Sequence, residues 1–426
     1  MEVLKERVLL VGVHLQECTE DDFTLSMAEL WDLAEACNME IAGKVEQKLQ
    51  RPHTAYYIGP GKVAEVLAAK EEAGAETVVF DNTLSPMQIR NLQKELDCVV
   101  MDRTALILEI FEKRAKSREA KLQVEVVKLQ YMLPRLVGMH EALSRQGGGG
   151  FANKGSGEKK LELDRRKLEQ RLTELRKELN HIKNERVTQR KKRNDTGAIR
   201  VALVGYTNAG KSTMMNCMLE KFTQDTRFSE EKKVFEEDML FATLDTTVRK
   251  IAPPGHIPFL LSDTVGFISK LPHNLIEAFH STLEEAVESD LLLQVVDFSD
   301  FHRDDQINVT NETLKELGAD EVPVIYVYNK ADLCMEESLL PIVRGNRIYL
   351  SAKKGIGIER LLEMMEDALK DRFREGEFLF PYSMGAAVSY LNETAVVYSS
   401  EYTEDGVKIH AKLKAEDYGR FRKYLS

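Results

Sequence analysis

The segment Gly205-Tyr206-Thr207-Asn208-Ala209-Gly210-Lys211-Ser212 constrains this chain more than any other. It follows the apolar run IRVALV and opens a run with helical apolar spacing, so it predicts a strand, a tight turn and a helix in that order. In such a turn the two glycines let backbone N–H groups converge on phosphate oxygens, and the helix start adds a favourable dipole. Lys211 is placed to reach the β and γ phosphates, and the Ser212 hydroxyl to ligate Mg2+, with Tyr206, Thr207, Asn208, Ala209 and Thr213 completing the phosphate-facing stretch. Alone, this pattern does not choose between ATP and GTP. Its plainer alternative is a glycine-rich turn between a strand and a helix.

Three further motifs follow in order. The run FLLSDTVGF ends a predicted strand at Asp263, where a carboxylate can hold Mg2+ through water, and Thr264 and Val265 lead to Gly266, whose N–H can meet the γ phosphate. Base choice is read from Asn329-Lys330-Ala331-Asp332 after VPVIYVYN: the Asp332 carboxylate accepts both the N1–H and the exocyclic amine of guanine, whereas adenine would leave that charge unpaired. Lys330 is expected along the base plane, and Asn329 is expected to tie its loop to the phosphate loop. Ser351-Ala352-Lys353 follows another short strand and offers the Ala352 N–H to guanine O6. Together these predict GTP as substrate and GDP as product.

Between the phosphate loop and Asp263, the stretch Phe241, Ala242, Thr243, Leu244, Asp245 to Lys250 has no strong helical pattern and is expected to cover the γ phosphate. Thr243 is the expected Mg2+ ligand there, with Thr246 and Thr247 as alternatives. Lys211 and Gly266 are the groups expected to act on the transferring phosphoryl. Phe267 occupies the place after Gly266 where many such sites carry a water-orienting glutamine, so turnover by the isolated chain is expected to be slow. Asn208 either helps to hold a K+ ion or hydrogen-bonds its own loop.

The remaining chain predicts an α/β protein of several domains, since 426 residues exceed what one core sustains. Residues 1–114 read as a small α/β domain: VLLVGV, TVVF (Thr77 to Phe80) and CVVM (Cys98 to Met101) alternate with helical patterns, one carrying Met27, Leu30, Trp31, Leu33 and Ala34 and one opening at Ser85-Pro86. Residues 115–195 read as an antiparallel helical hairpin, with Leu122, Val126, Leu129, Leu133 and Leu136 in one arm and Leu161, Leu168, Leu172, Leu175, Leu179 and Ile182 in the other. A glycine-rich loop, SRQGGGGFANKGSGEKK, joins the arms. Residues 196–373 form the phosphate-loop domain and 374–426 a small α+β domain with a hairpin turn at Glu404-Asp405-Gly406. The net charge of -11 opposes nonspecific binding of nucleic acid by the whole surface. From Lys154 to Arg200, however, bases outnumber acids roughly two to one, ending in Arg186, Arg190, Lys191, Lys192, Arg193 and Arg200, a plausible polyanion contact or else a solvated helix face. Five scattered cysteines oppose a disulfide framework, and the lack of a long apolar run or leader pattern predicts a cytoplasmic chain with no membrane span.

With GYTNAGKST, FATLDTTVR, DTVGFI, LPHNLIEAFHSTLEE and LELDRR (Leu161 to Arg166), the chain resembles the HflX family of ribosome-associated GTPases over nearly its whole length. The resemblance implies binding to the large ribosomal subunit and its RNA, a role in dissociating or rescuing ribosomes, hydrolysis stimulated by the ribosome, and action as a monomer. The chain departs from that family at Asn153 to Glu158, which lacks an arginine and a proline usual there, and at Thr246, where a proline is usual. The Gly-Pro-Gly-Lys turn at residues 59–62 could hold an anion but reads more simply as a helix start. The competing reading is a regulatory GTPase whose hairpin recruits a protein and never touches RNA.

Overall fold

A computed structural model describes residues 5–146, 154–194, 199–222, 240–241, 246–271, 275 and 284–426, side chains of 136–146, 154–162, 186–194 and 393 excepted. The chain divides into two compact units. The first comprises Met1–Lys183 with Met239–Phe241 and Ser269–Phe279, the second Asn184–Asp238, Ala242–Ile268 and His280–Ser426.

In the first unit, strands β1 (Arg7–Leu15), β2 (Glu40–Leu49), β3 (Thr77–Phe80) and β4 (Val99–Asp102) form a parallel sheet in the order β2-β1-β3-β4. Its helices are α1 (Glu20–Ala36), α2 (Pro60–Ala73), α3 (Pro86–Leu96) and α4 (Arg103–Arg114). Three strands were legible as apolar runs because helices cover both their faces. β2 was not: it lies at the sheet edge, and its EIAGKVEQKL alternates charged and half-buried residues. α3 begins where Ser85-Pro86 predicted, with Ser85 and Gln88 forming a reciprocal capping box. The Gly-Pro-Gly-Lys turn opens α2, with Gly59 as its cap and Pro60 in its first turn. In α1, Met27, Leu30, Leu33 and Ala34 are buried, but Trp31 is 41% exposed, its indole N–H donated to Glu35.

Helices α5 (Arg118–Gln146) and α6 (Lys154–Asn194) form the antiparallel hairpin. Leu122, Val126 and Leu129 pack against Leu172 and Leu175, flanked by the pairs Arg118–Glu178 at 3.1 Å and Arg171–Glu125 at 2.9 Å. The glycine-rich connection is shorter than expected, because the helical backbone of α6 already includes Gly155 and Gly157. Its residues 147–153 and the side chains of Arg186, Arg190, Lys191, Lys192 and Arg193 lie outside the described residues.

The carboxyl ends of β3 and β4 carry a buried ionic cluster. Phe80 pairs with Asp102, which sets the following residues, Asp81 and Arg103, side by side. Arg103 donates to Asp81 at 2.8 Å and also to Glu29, and all three side chains are at most 8% exposed. Lys270 reaches Asp81 at 2.7 Å, and Ser269 bonds Glu29 and Arg103. Burial pushes the Asp81 carboxyl up, but the charges of Arg103 and Lys270 and the bonds from Lys270 and Ser26 outweigh it and hold the group below the usual carboxylate range. Phe241 also belongs to this unit: it is buried with its ring edge-on to Phe111 at 4.7 Å. It is therefore a packing residue of this unit.

In the second unit, β5 (Ile199–Val204), β6 (Thr247–Ile251), β7 (Phe259–Asp263), β8 (Leu291–Asp297), β9 (Val324–Asn329), β10 (Ile342–Arg344) and β11 (Arg347–Tyr349) form a seven-stranded sheet ordered β10-β11-β9-β8-β5-β7-β6. Only the edges β6 and β10 run antiparallel. Helices α7 (Lys211–Phe222), α8 (Arg303–Glu316) and α9 (Ile358–Ala368) belong to it, and Met214, Met215 and Met218 of α7 are buried against the sheet in one core with Leu361 and Leu362 of α9. Fully burying each such side chain contributes about 2 kcal/mol. Arg200 lies in β5 beside Glu288 and Asp290, so it is part of this sheet and not of the basic arm in which the sequence grouped it. The C-terminal part holds β12 (Phe373–Phe380), α10 (Gly385–Thr394), β13 (Val396–Thr403), β14 (Gly406–Lys414) and α11 (Ala415–Phe421), with sheet order β12-β14-β13. The hairpin turn falls at Glu404-Asp405, as predicted. Among the described residues no helix is long and apolar enough to cross a membrane.

Replacing Arg103 by methionine would leave Asp81 and Glu29 buried with Lys270 as their nearby cation. Calorimetry should then show the first unit destabilised by about 3 kcal/mol. Because the Asp81 carboxyl is depressed in the folded state, its contribution is complete above the unfolded value and lost as pH falls through the folded one. The wild-type melting temperature should therefore drop below about pH 4, and Asp81→Asn should flatten that drop.

Candidate nucleotide site

The phosphate loop leaves the carboxyl end of β5, where the strand order reverses between β8 and β7, the position at which open parallel sheets bind ligands. Its first residue, Gly205, has φ +142°, and a Cβ there would lie 2.2 Å from the Val295 carbonyl oxygen, so no other residue fits. Asn208 adopts φ +60° and is exposed, a left-handed conformation that asparagine tolerates. At Gly210, φ +92°, a Cβ would meet Asn329 Nδ2 at 2.3 Å. Lys211 then starts α7.

The loop is tied to the segment after Asp263. The Phe267 N–H donates to the Gly205 carbonyl at 3.1 Å, and the Thr207 N–H donates to the Phe267 carbonyl at 2.8 Å. Phe267 is buried, so the ring that replaces a glutamine packs inside. At Gly266 a Cβ would stand 2.8 Å from Thr207 Cα and 3.0 Å from Lys211 Nζ, which leaves no room for a side chain. Lys211 donates to the carbonyls of Gly205 at 3.0 Å and Tyr206 at 2.7 Å. Burial pushes its ammonium down to about 8 despite the attraction of Asp263.

Ser212 Oγ donates to Asp263 Oδ2 at 2.8 Å, and Asp263 is fully buried at the end of β7. Among the described residues no group of three or more His, Cys, Asp or Glu side chains could hold a metal. A hydroxyl beside a carboxylate suits Mg2+, a hard cation that takes few protein oxygens and completes its shell with phosphate and water. Thr264 is placed differently from the sequence reading: its buried hydroxyl donates to the Leu203 carbonyl at 2.7 Å and holds β5 to β7, so it faces the sheet and not a ligand. Val265 is buried, while Thr213 is partly exposed in the first turn of α7. Ala242, Thr243, Leu244 and Asp245 lie outside the described residues.

The base-reading loops converge on the phosphate loop. Asn329 Nδ2 donates to the Ala209 carbonyl at 3.0 Å, and its Oδ1 accepts the Ala352 N–H at 2.9 Å. That second bond joins the two loops through Asn329, at the N–H expected to serve guanine O6. Lys330, at φ +58°, pairs with Asp297 at 2.8 Å, a partner at the end of β8 that its apolar run concealed. Asp332 is 7% exposed, with Lys354 at 3.0 Å, and Lys354 also pairs with Glu337 at 2.6 Å. Burial pushes the Asp332 carboxyl up, but hydrogen bonds with Ser351 and Lys354 prevail and keep it ionised at neutral pH. Ser351 is buried and Lys353 exposed. Lys354 was missed because it follows SAK directly and reads as one more solvated lysine.

Residues 24–112 match the family described as GTP-binding GTPase N-terminal, residues 114–193 the GTP-binding GTPase Middle Region, and residues 200–330 the 50S ribosome-binding GTPase. A GTPase HflX from Caldanaerobacter subterraneus subsp. tengcongensis is 42% identical over 424 residues, covering 99% of this chain and 94% of that one. A GTPase HflX from Escherichia coli is 35% identical over 425 residues, covering 98% and 96%. A solved GTP-binding protein from the archaeon Sulfolobus solfataricus, in complex with GDP, is 23% identical and covers 86% of this chain and 99% of that one, at a TM-score of 0.42.

Lys211 must be charged to meet phosphate, and burial has brought its titration to about 8. Affinity for fluorescent GDP should therefore hold up to that pH and weaken up to about tenfold per unit above it, read by titration between about pH 7 and 9. In Lys211→Arg, whose guanidinium stays charged, any remaining affinity should lose this slope.

Proposed function

The chain belongs to the HflX family of GTPases, and on that footing we propose a switch on the ribosome, set by GTP bound at Gly205–Ser212 and reset by its hydrolysis. The observation that carries this reading is the pair of hydrogen bonds that Asn329 donates to the Ala209 carbonyl and accepts from the Ala352 N–H, which brings a phosphate loop and two base-reading loops into one site. Within it, Lys211 and the Gly266 N–H face the transferring phosphoryl. Asp332, ionised and nearly buried, reads guanine. Ser212 and Asp263 would hold Mg2+, with Thr243 joining them in the GTP state. The ion supplies positive charge that offsets the charge developing on the phosphates. Asn208 has its left-handed backbone as a sufficient reason, so potassium is left unassigned.

The ribosomal half rests on the family and on the hairpin. The large subunit and its RNA are the proposed partner, ribosome dissociation or rescue the proposed outcome, and a monomer acting in the cytoplasm the proposed form. The division into 1–114, 115–195, 196–373 and 374–426 is proposed as the working set of parts. Against the rival reading, in which the hairpin recruits a protein through its heptads, stands the use of that seam within the hairpin: Leu122, Val126, Leu129, Leu172 and Leu175 already bury one another.

Two measurements test these halves separately. Asp332→Asn should cost about a hundredfold in GTP affinity and turn the preference toward xanthosine triphosphate, and full retention of GTP selectivity would refute the base pocket. In cosedimentation with ribosomes, binding should be stronger with a non-hydrolysable GTP analogue than with GDP. It should also weaken steeply with salt, and less steeply after neutralising Arg190 to Arg193. Binding indifferent to nucleotide, salt and these charges would favour a protein partner.

A further inference from the structure

Thr207 carries a hydroxyl that nothing so far has used. Its Oγ1 is buried and finds no hydrogen-bond partner among the described residues, in a side chain that belongs to the phosphate loop itself. Such a group is costly to bury, and valine has the same shape without the cost. The side chain that carries it lies at the site, with its methyl toward Gly266. Thr207 Cα and Cγ2 both stand 2.8 Å from the point a Gly266 Cβ would occupy, and Lys211 Nζ stands 3.0 Å from that point. Thr207, Gly266 and Lys211 therefore converge on one small volume, where the proposed site receives the γ phosphate. The backbone of Thr207 is immobilised, its N–H held by the Phe267 carbonyl at 2.8 Å, and β-branching restricts its χ1. Phe267 is fixed on the other side of the same bond and offers no polar side chain.

We propose that the Thr207 hydroxyl is a catalytic group that positions the attacking water on the γ phosphate, in place of the glutamine that this chain lacks. The proposal rests on the reading of Gly205–Ser212 as the phosphate site. In the step, water oxygen bonds to the γ phosphorus while the bond from that phosphorus to the β–γ bridging oxygen breaks. The bond's electron pair leaves with GDP, and the water proton passes to a γ-phosphate oxygen. Oγ1 accepts a hydrogen bond from the water and donates its own hydrogen to a γ-phosphate oxygen, so the threonine begins and ends neutral. An aliphatic hydroxyl is too weak a base to take the proton at neutral pH, and its contribution is orientation.

Thr207→Val and Thr207→Ser separate this role from packing. Three readouts decide it: affinity for fluorescent GDP, the single-turnover rate of GTP hydrolysis, and formation of the GDP–aluminium fluoride complex. For Thr207→Val the expected result is GDP affinity within about threefold of wild type, hydrolysis slowed about tenfold or more, and loss of the aluminium fluoride complex. Thr207→Ser should restore hydrolysis to within about threefold. Hydrolysis by Thr207→Val at the wild-type rate with GDP bound normally would overturn the proposal, as would a loss of GDP affinity that accounts for the whole loss of rate. Failure of the wild-type chain to bind GDP would instead overturn the phosphate-site reading on which it rests.

Discussion

The nucleotide site depends on two backbone hydrogen bonds, Phe267 N–H to Gly205 and Thr207 N–H to Phe267. β5 and β7 lie side by side with Leu203 opposite Asp263, so their carboxyl ends deliver the phosphate loop and the Asp263 segment to one edge of the sheet. The two bonds continue that pairing past the strand ends. They place Gly266 so close to Thr207 and Lys211 that only glycine fits. They also fix the backbone of Phe267, whose ring is buried.

Charge organises the first unit as backbone pairing organises the second. Asp81, Glu29 and Arg103 are too deeply buried to be stable unless matched, and desolvation makes an uneven count expensive. Arg103 supplies one positive charge against two carboxylates, and Lys270 supplies the second. Lys270 is four residues beyond Gly266 in the chain, so the unit completes its charge balance with residues contributed from the stretch that follows the site motif. That requirement is invisible in composition, since Asp81 and Lys270 are 189 residues apart.

The legible parts were those with local causes. The capping box at Ser85, the helix start at Pro60, the hairpin seam and the turn at Glu404-Asp405 each follow from residues within a few positions of one another. β2 failed as an apolar run because an edge strand needs only one buried face. Thr264 was misread for a different reason. It sits beside Asp263, and adjacency in sequence says nothing about which way a side chain turns.

By itself the sequence determined the order of the phosphate, metal and base motifs, because each needs particular residue types at fixed short spacing. It also determined the α/β class, because periodicity is local. Tertiary structure alone decided that Asn329 takes the Ala352 N–H, that Lys354 stands on Asp332, and that Thr207 is left with a buried, unpartnered hydroxyl on a side chain packed at Gly266. The meeting of these loops depends on which strands are neighbours, and the choice of neighbours is a property of the whole sheet and not of any window of sequence.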